Sequence, residues 1–76
     1  MSATKVDPWK EAAECERALQ IATNTEQRNM LVYLREMWIA LANESAFLSA
    51  DDFAKEAEAV IQIQTDMTAD ILGNLH

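Results

Sequence analysis

The chain reads as an all-α protein of three antiparallel helices, over about residues 8–23, 25–47 and 50–72. Three observations lead there. Apolar residues recur in alternating three- and four-residue steps along most of its length, the period of a helix face. One Gly and one Pro, both near the ends, leave little turn chemistry for β-hairpins. Residues suited to cap helices, Asp7, Asn24 and Ser49, stand at the heads of the three periodic segments.

The first helix is announced by Asp7-Pro8. Aspartate is a preferred N-cap, and proline in the first turn loses no hydrogen bond and has a helical φ already. Glu11 and Glu14 follow in the early turns, where they complement the positive end of the helix dipole. The inner stripe is Ala12, Cys15, Leu19 and Ala22, flanked by Ala18. Its side chains are mostly small, so this helix can approach a neighbour closely, with Trp9 as its one large anchor. The turn Ala22-Thr23-Asn24-Thr25-Glu26-Gln27 contains no glycine. Asn24 with Gln27 forms a capping-box pattern, and Thr23 with Glu26 offers the same one register earlier; Asn24 is favoured, because it puts Thr25 and Glu26 in the first turn. So short a loop makes helices one and two an antiparallel hairpin.

The second helix carries the most telling pattern. Leu31, Leu34, Trp38, Leu41, Ser45 and Leu48 have the spacing of a coiled-coil seam, widened by Met30 and Met37. Val32, Ile39 and Ala46 form a second stripe roughly 100° away on a helical projection. Two apolar faces need cover on both sides, and a chain of 76 residues has little else to supply it. Tyr33 lies off the main seam, as an interface residue whose hydroxyl can reach water. Ser49 then caps the third helix, with Leu48 and Phe53 at the spacing of a hydrophobic staple. That helix places Phe53, Ala57, Val60, Ile61, Gln64, Met67 and Ile71 on one side and its acidic residues on the other, and Gly73-Asn74 should end it. Residues 1–76 thus make a single domain, with 1–6 and 74–76 as flexible ends. It lies in the size range where one core is marginal and oligomerisation is a common remedy.

Charge and composition narrow the function. The net charge of −7 is concentrated late: after Lys55 there is no Lys or Arg, while Asp51, Asp52, Glu56, Glu58, Asp66 and Asp70 all fall in the last third. This balance disfavours nucleic acid and anionic lipid as partners. It leaves two uses for the acidic face of residues 51–70, a solvated surface or a docking face for another protein. The longest apolar runs, residues 30–34 and 37–42, are far short of the ~20 residues needed to span a membrane. No apolar core of a secretory signal stands at the N-terminus, and the single Cys15 excludes an internal disulfide; both fit a cytoplasmic setting.

Catalysis needs convergent polar groups, and few are present. His76 is the only imidazole and the last residue, so no Glu-x-x-His pair can build a di-iron site. Cys15 sits on the inner stripe among Glu11, Glu14 and Glu16, which disfavour a thiolate. No phosphate loop, metal motif or Ser-His-Asp set occurs, so the reading has no enzyme, cofactor or metal in it.

With the helices placed, Glu14-Cys15-Glu16-Arg17, Ala22-Thr23-Asn24-Thr25-Glu26, Leu31, Leu34 and Trp38-Ile39-Ala40-Leu41-Ala42 come into register. Together they resemble a group of small uncharacterised proteins common in rhizobia and other alphaproteobacteria. Those proteins read E-C-x-x-L-A, then A-T-D-P-E, then L-L-x-L-A-x-x-W-x-x-L-A. The spacings from Cys15 to Glu26 and from Glu26 to Trp38 agree without gaps, over about residues 12–42. Ala18-Leu19 reverses the usual order, Asn24-Thr25 replaces Asp-Pro, and Arg35 stands where alanine is usual. The resemblance implies a helical hairpin in a bacterial cytoplasm and brings no activity, cofactor or site. Physically, Cys15 looks like a small residue at a tight helix contact, and Trp38 an anchor.

The sequence therefore predicts a non-enzymatic acidic helical protein that self-associates, as a homodimer or higher, and acts through protein–protein interaction. Trp9, Leu31, Val32, Leu34, Trp38, Ile39, Leu41, Phe53, Gln64 and Met67 are its expected interface or core anchors. Gln64, polar within an apolar stripe, should pair across the interface or hold a ligand. The alternative is a small-molecule binder with an apolar cavity lined by Trp38, Met37, Met67 and Ile71 near Gln64. A third reading, an acidic decoy imitating DNA, needs ordered carboxylates at phosphate-like spacing, and −7 is modest for that task.

Overall fold

The computed structural model describes the backbone of residues 6–73 and the side chains of residues 6–69. Within them lie helices α1 (Pro8–Ile21), α2 (Thr25–Glu44) and α3 (Ala50–Gly73), with a 3₁₀ turn, Ser45–Phe47, joining the last two. The described residues contain no strand. None of these helices is long and apolar enough to cross a membrane.

Each expected N-cap side chain makes its bond. Asp7 Oδ1 accepts from the backbone N–H of Trp9 at 3.1 Å and of Lys10 at 3.4 Å. Asn24 Oδ1 accepts from Gln27 N–H at 3.0 Å, and Ser49 Oγ from Asp52 N–H at 3.1 Å. All three satisfy donors that a helix start leaves unpaired, each worth about 1 kcal/mol.

The ends of the helices differ from the sequence reading. α1 stops at Ile21 rather than residue 23, and Ala22 is already extended, as is the Asn24 cap. The Arg28 guanidinium on α2 explains how a turn without glycine closes: Nη1 donates to Leu19 O at 2.8 Å and Ala22 O at 3.4 Å. It satisfies carbonyls left over at the end of α1, where the last turn has no basic residue of its own. α2 ends at Glu44, three residues early. Both the backbone N–H and the hydroxyl of Ser45 turn to Ala42 O, the hydroxyl at 2.8 Å, which tightens the chain into the 3₁₀ turn. α3 runs through Gly73, which is helical instead of a left-handed terminator. Residues 1–5 and 74–76, where loose ends were expected, lie outside the described residues. Val6, assigned to the N-terminal loose end, is half-buried against the core.

α1 packs closely along α2, α3 lies on α2 more sparsely, and the backbones of α1 and α3 hardly meet. One side chain links all three. Trp38 is 0 % exposed and shares its cluster with Ala12 and Cys15 of α1, Leu34 and Leu41 of α2, and Ala57 and Val60 of α3. Small residues on both outer helices make room for the indole, and its bulk occupies the space where α1 and α3 would otherwise meet. Met30, Met37, Ile63 and Met67 extend this core as half-buried residues.

Candidate interaction surfaces

The expected anchors divide into buried and exposed groups. Leu34, Trp38 and Leu41 are buried, while Leu31, Ile39, Phe53, Gln64 and Met67 are half-buried. Trp9 is not a core anchor: it is 56 % exposed. On a projection of α1 it lies about 20° from Glu16, on the flank turned toward α2 and away from the buried stripe. The centre of the main seam, Leu34, Trp38 and Leu41, is thus covered within the chain by α1 and α3, while Leu31 and Leu48 are half-buried and Ser45 is exposed.

The second stripe is not. Ile39 is half-buried, but Val32 is 40 % exposed and Ala46 is exposed. Tyr33, 51 % exposed, and Ala40 lie on the same outward side of α2, interrupted by Asn29, Glu36 and Asn43. Just past its end Phe47 is 89 % exposed. The flank beside this face is held by an ion pair between helices, Arg35 of α2 with Glu16 of α1, and Arg35 also meets Glu36 at 3.2 Å. Both hydrogen bonds favour the charged guanidinium and raise it further above its ordinary value.

A second surface lies on the other side of α1. An open groove of about 690 Å³ runs between the start of α1 and the first three turns of α3. Val6, Pro8, Leu48, Phe53, Ala57 and Ile61 give it apolar walls, with Ser45, Ser49 and Glu58 as its polar members. Leu48 and Phe53, the expected staple pair, both line it. Both serine oxygens are already engaged in local bonds, Ser45 with Ala42 O and Ser49 with Asp52 N–H.

The cavity expected around Trp38 is differently arranged. The indole is fully buried, and its Nε1–H donates to Gln64 Oε1 at 3.4 Å. Gln64 therefore finds its partner inside the chain, 26 residues away on a neighbouring helix. The Ile71 side chain lies outside the described ones. Cys15 is buried; burial first, then the carboxylates of Glu11 and Glu14, pushes its thiol up, against a weaker downward pull from Arg35. A thiol so placed stays protonated at neutral pH and is a poor nucleophile. Among the described residues no group of three or more His, Cys, Asp or Glu side chains is placed to hold a metal ion.

In comparisons with protein-family models, curated proteins and solved structures, the chain matches none.

Proposed function

We propose that this chain is a non-enzymatic helical protein that self-associates and acts through protein–protein contact, with the outward face of α2 as its contact surface. The observation that carries this reading is that face itself: Val32, Tyr33 and Ala40 are exposed among Asn29, Glu36 and Asn43 on the solvent side of the central helix, with Ile39 half-buried at its edge and Ala46 exposed just past its end. An amphipathic helix ordinarily turns charged and polar residues outward. A two-fold axis beside α2 lets one stripe cover its own copy, the commonest way for an oligomer to close. A standard interface removes about 800 Å² from each partner. The chain exposes 5,696 Å², so roughly one seventh of it would have to be covered. That is within reach of a helix about 30 Å long, together with Trp9 and Phe47.

The same proposal includes a cytoplasmic setting and kinship with the alphaproteobacterial hairpin proteins. The lone buried thiol and the pattern over residues 12–42 support them. The small-molecule reading is weaker. The groove has a volume common among ligand sites, but Glu58 is the one charged side chain in its lining, and both of its serines are engaged locally.

Light scattering at micromolar concentration tests self-association, with a mass at least twice the monomer's expected. Val32→Glu with Tyr33→Glu should return the mass to that of a monomer while helicity is kept. A concentration-independent, fully helical monomer in the unsubstituted chain would refute the reading.

A further inference from the structure

Two rows of apolar residues run through the break between α2 and α3 without losing step. Tyr33, Ala40, Phe47, Ala54 and Ile61 recur every seven residues, and all five are exposed. Val32, Ile39, Ala46, Phe53, Val60 and Met67 recur at the same interval beside them. Between the rows run Glu36, Asn43, Ala50, Ala57 and Gln64, polar toward the ends and small in the middle. A seven-residue interval keeps residues on one face only along an uninterrupted helix. On such a helix these rows make an apolar strip that has no gap over residues 46–61. The folded chain divides it: Tyr33 and Ala40 lie on the outward face of α2, Phe47 on the 3₁₀ turn, and Ala54 and Ile61 in the groove along α3.

Little holds the break in place. Residues 45–49 include neither glycine nor proline. The backbone is still right-handed helical at Ser45 (φ −59°, ψ −29°) and is extended at Leu48 (φ −102°, ψ 143°). Three local bonds fix the bend: Leu48 N–H to Ser45 O at 3.4 Å, Ser45 Oγ to Ala42 O at 2.8 Å and Asp52 N–H to Ser49 Oγ at 3.1 Å. Regular helix bonds replace them when the segment straightens. α3 also lies on α2 more sparsely than α1 does.

We propose that α2 and α3 join through residues 45–49 into one continuous helix, and that two copies of the chain pair antiparallel along the strip. A two-fold axis across its middle lets the strip cover itself. A parallel pair would set the two acidic α3 segments side by side along their whole length, whereas the antiparallel order brings the outer half of each beside α2. Opening parts α3 from Trp38, so the paired form gains on the closed one as protein concentration rises. This inference rests on the self-association proposed above and extends its surface from α2 into α3.

Sedimentation and small-angle scattering of the full-length protein across the micromolar range test it. The closed chain is 40 Å along its longest axis. A helix over residues 25–73 spans about 74 Å at 1.5 Å per residue, and the dimer's longest dimension should reach at least that length. Ala50 opens α3, where proline is tolerated, but within a continuous helix proline there loses the bond to Ala46 O and clashes with it. Ala50→Pro should therefore weaken association at least about tenfold with helicity kept. Ile61→Glu, at an exposed position away from the outward face of α2, should weaken it at least about fivefold by setting a charge in the strip. A dimer as short as the closed chain, or undiminished association of either variant, would overturn the inference and leave the face of α2 as the contact surface. A monomer at every concentration would refute the self-association itself, and this inference with it.

Discussion

Removing the indole at position 38 is the most severe single truncation this core offers. Trp38 is fully buried and touches a cluster drawn from all three helices. Truncating a buried Trp to Ala costs about 3–5 kcal/mol, combining lost transfer energy with the cavity left behind. The upper half of that range applies here. The neighbours Ala12, Cys15 and Ala57 are too short to collapse into the space. Loss of the Gln64 bond adds little, because it is long at 3.4 Å and Gln64, half-buried, can turn to water. A domain of 76 residues has a total stability of about 4–11 kcal/mol at the usual value per residue, so Trp38→Ala consumes between about a third and all of it. Urea unfolding followed by far-ultraviolet circular dichroism, at fixed protein concentration, measures the difference. Gln64→Leu is the control, with an expected change below about 1 kcal/mol and no change in oligomeric state, since the glutamine pairs within the chain. An unfolding free energy of Trp38→Ala within about 0.5 kcal/mol of the parent would refute this account of the core.

Arg28→Ala should cost about 1–2 kcal/mol by freeing the end carbonyls of α1, and amide exchange should rise at Leu19 to Ala22; Arg28→Lys should recover only part, since one ammonium cannot copy the guanidinium's reach. The Cys15 thiol should resist aromatic disulfide reagents in the native state at pH 7 and react once urea unfolds the chain. Because the folded thiol is raised above its ordinary value of 9.0, the folded form keeps a proton that the unfolded chain gives up. Its contribution is therefore intact below pH 9.0 and declines as pH rises beyond it, whereas Cys15→Ala should remove that part of the alkaline slope.

What could be read from sequence was local. Asp7, Asn24 and Ser49 cap because each bonds an N–H two or three residues away, and Leu34, Trp38 and Leu41 are buried because a stripe repeats every turn. The links that needed tertiary geometry were missed. Arg28 reaches back nine residues to Leu19 O, and Arg35 crosses 19 residues to Glu16. An arginine in the first turns after a glycine-free loop was the available signal for the former. Trp9 stands outside the core although its size suggested an anchor, because its angle departs from the Ala12–Cys15–Leu19 stripe. For Gln64, expected to pair across an interface or hold a ligand, the bond from Trp38 within the chain was not legible, since no periodicity could bring Trp38 to it. The groove depends on how far apart α1 and α3 stand, which no spacing within one helix encodes.

The unequal packing of the helices has a kinetic consequence. α1 and α2 adjoin in sequence, are closed by Arg28 and share the denser contact. α3 is attached along a sparser seam. Such a chain can open in two stages. α3 detaches first as a cooperative unit, at a free energy below that of global unfolding, while the hairpin keeps its own turn. That opening uncovers Trp38, Met30 and Met37 on the hairpin and Ile63 and Met67 on the released helix, apolar side chains that the closed chain keeps buried or half-buried. In a concentrated solution the released helix of one molecule can settle on the hairpin of another, re-forming the same contacts between chains. The 3₁₀ turn at Ser45–Phe47 is then the hinge across which such an exchange would pass.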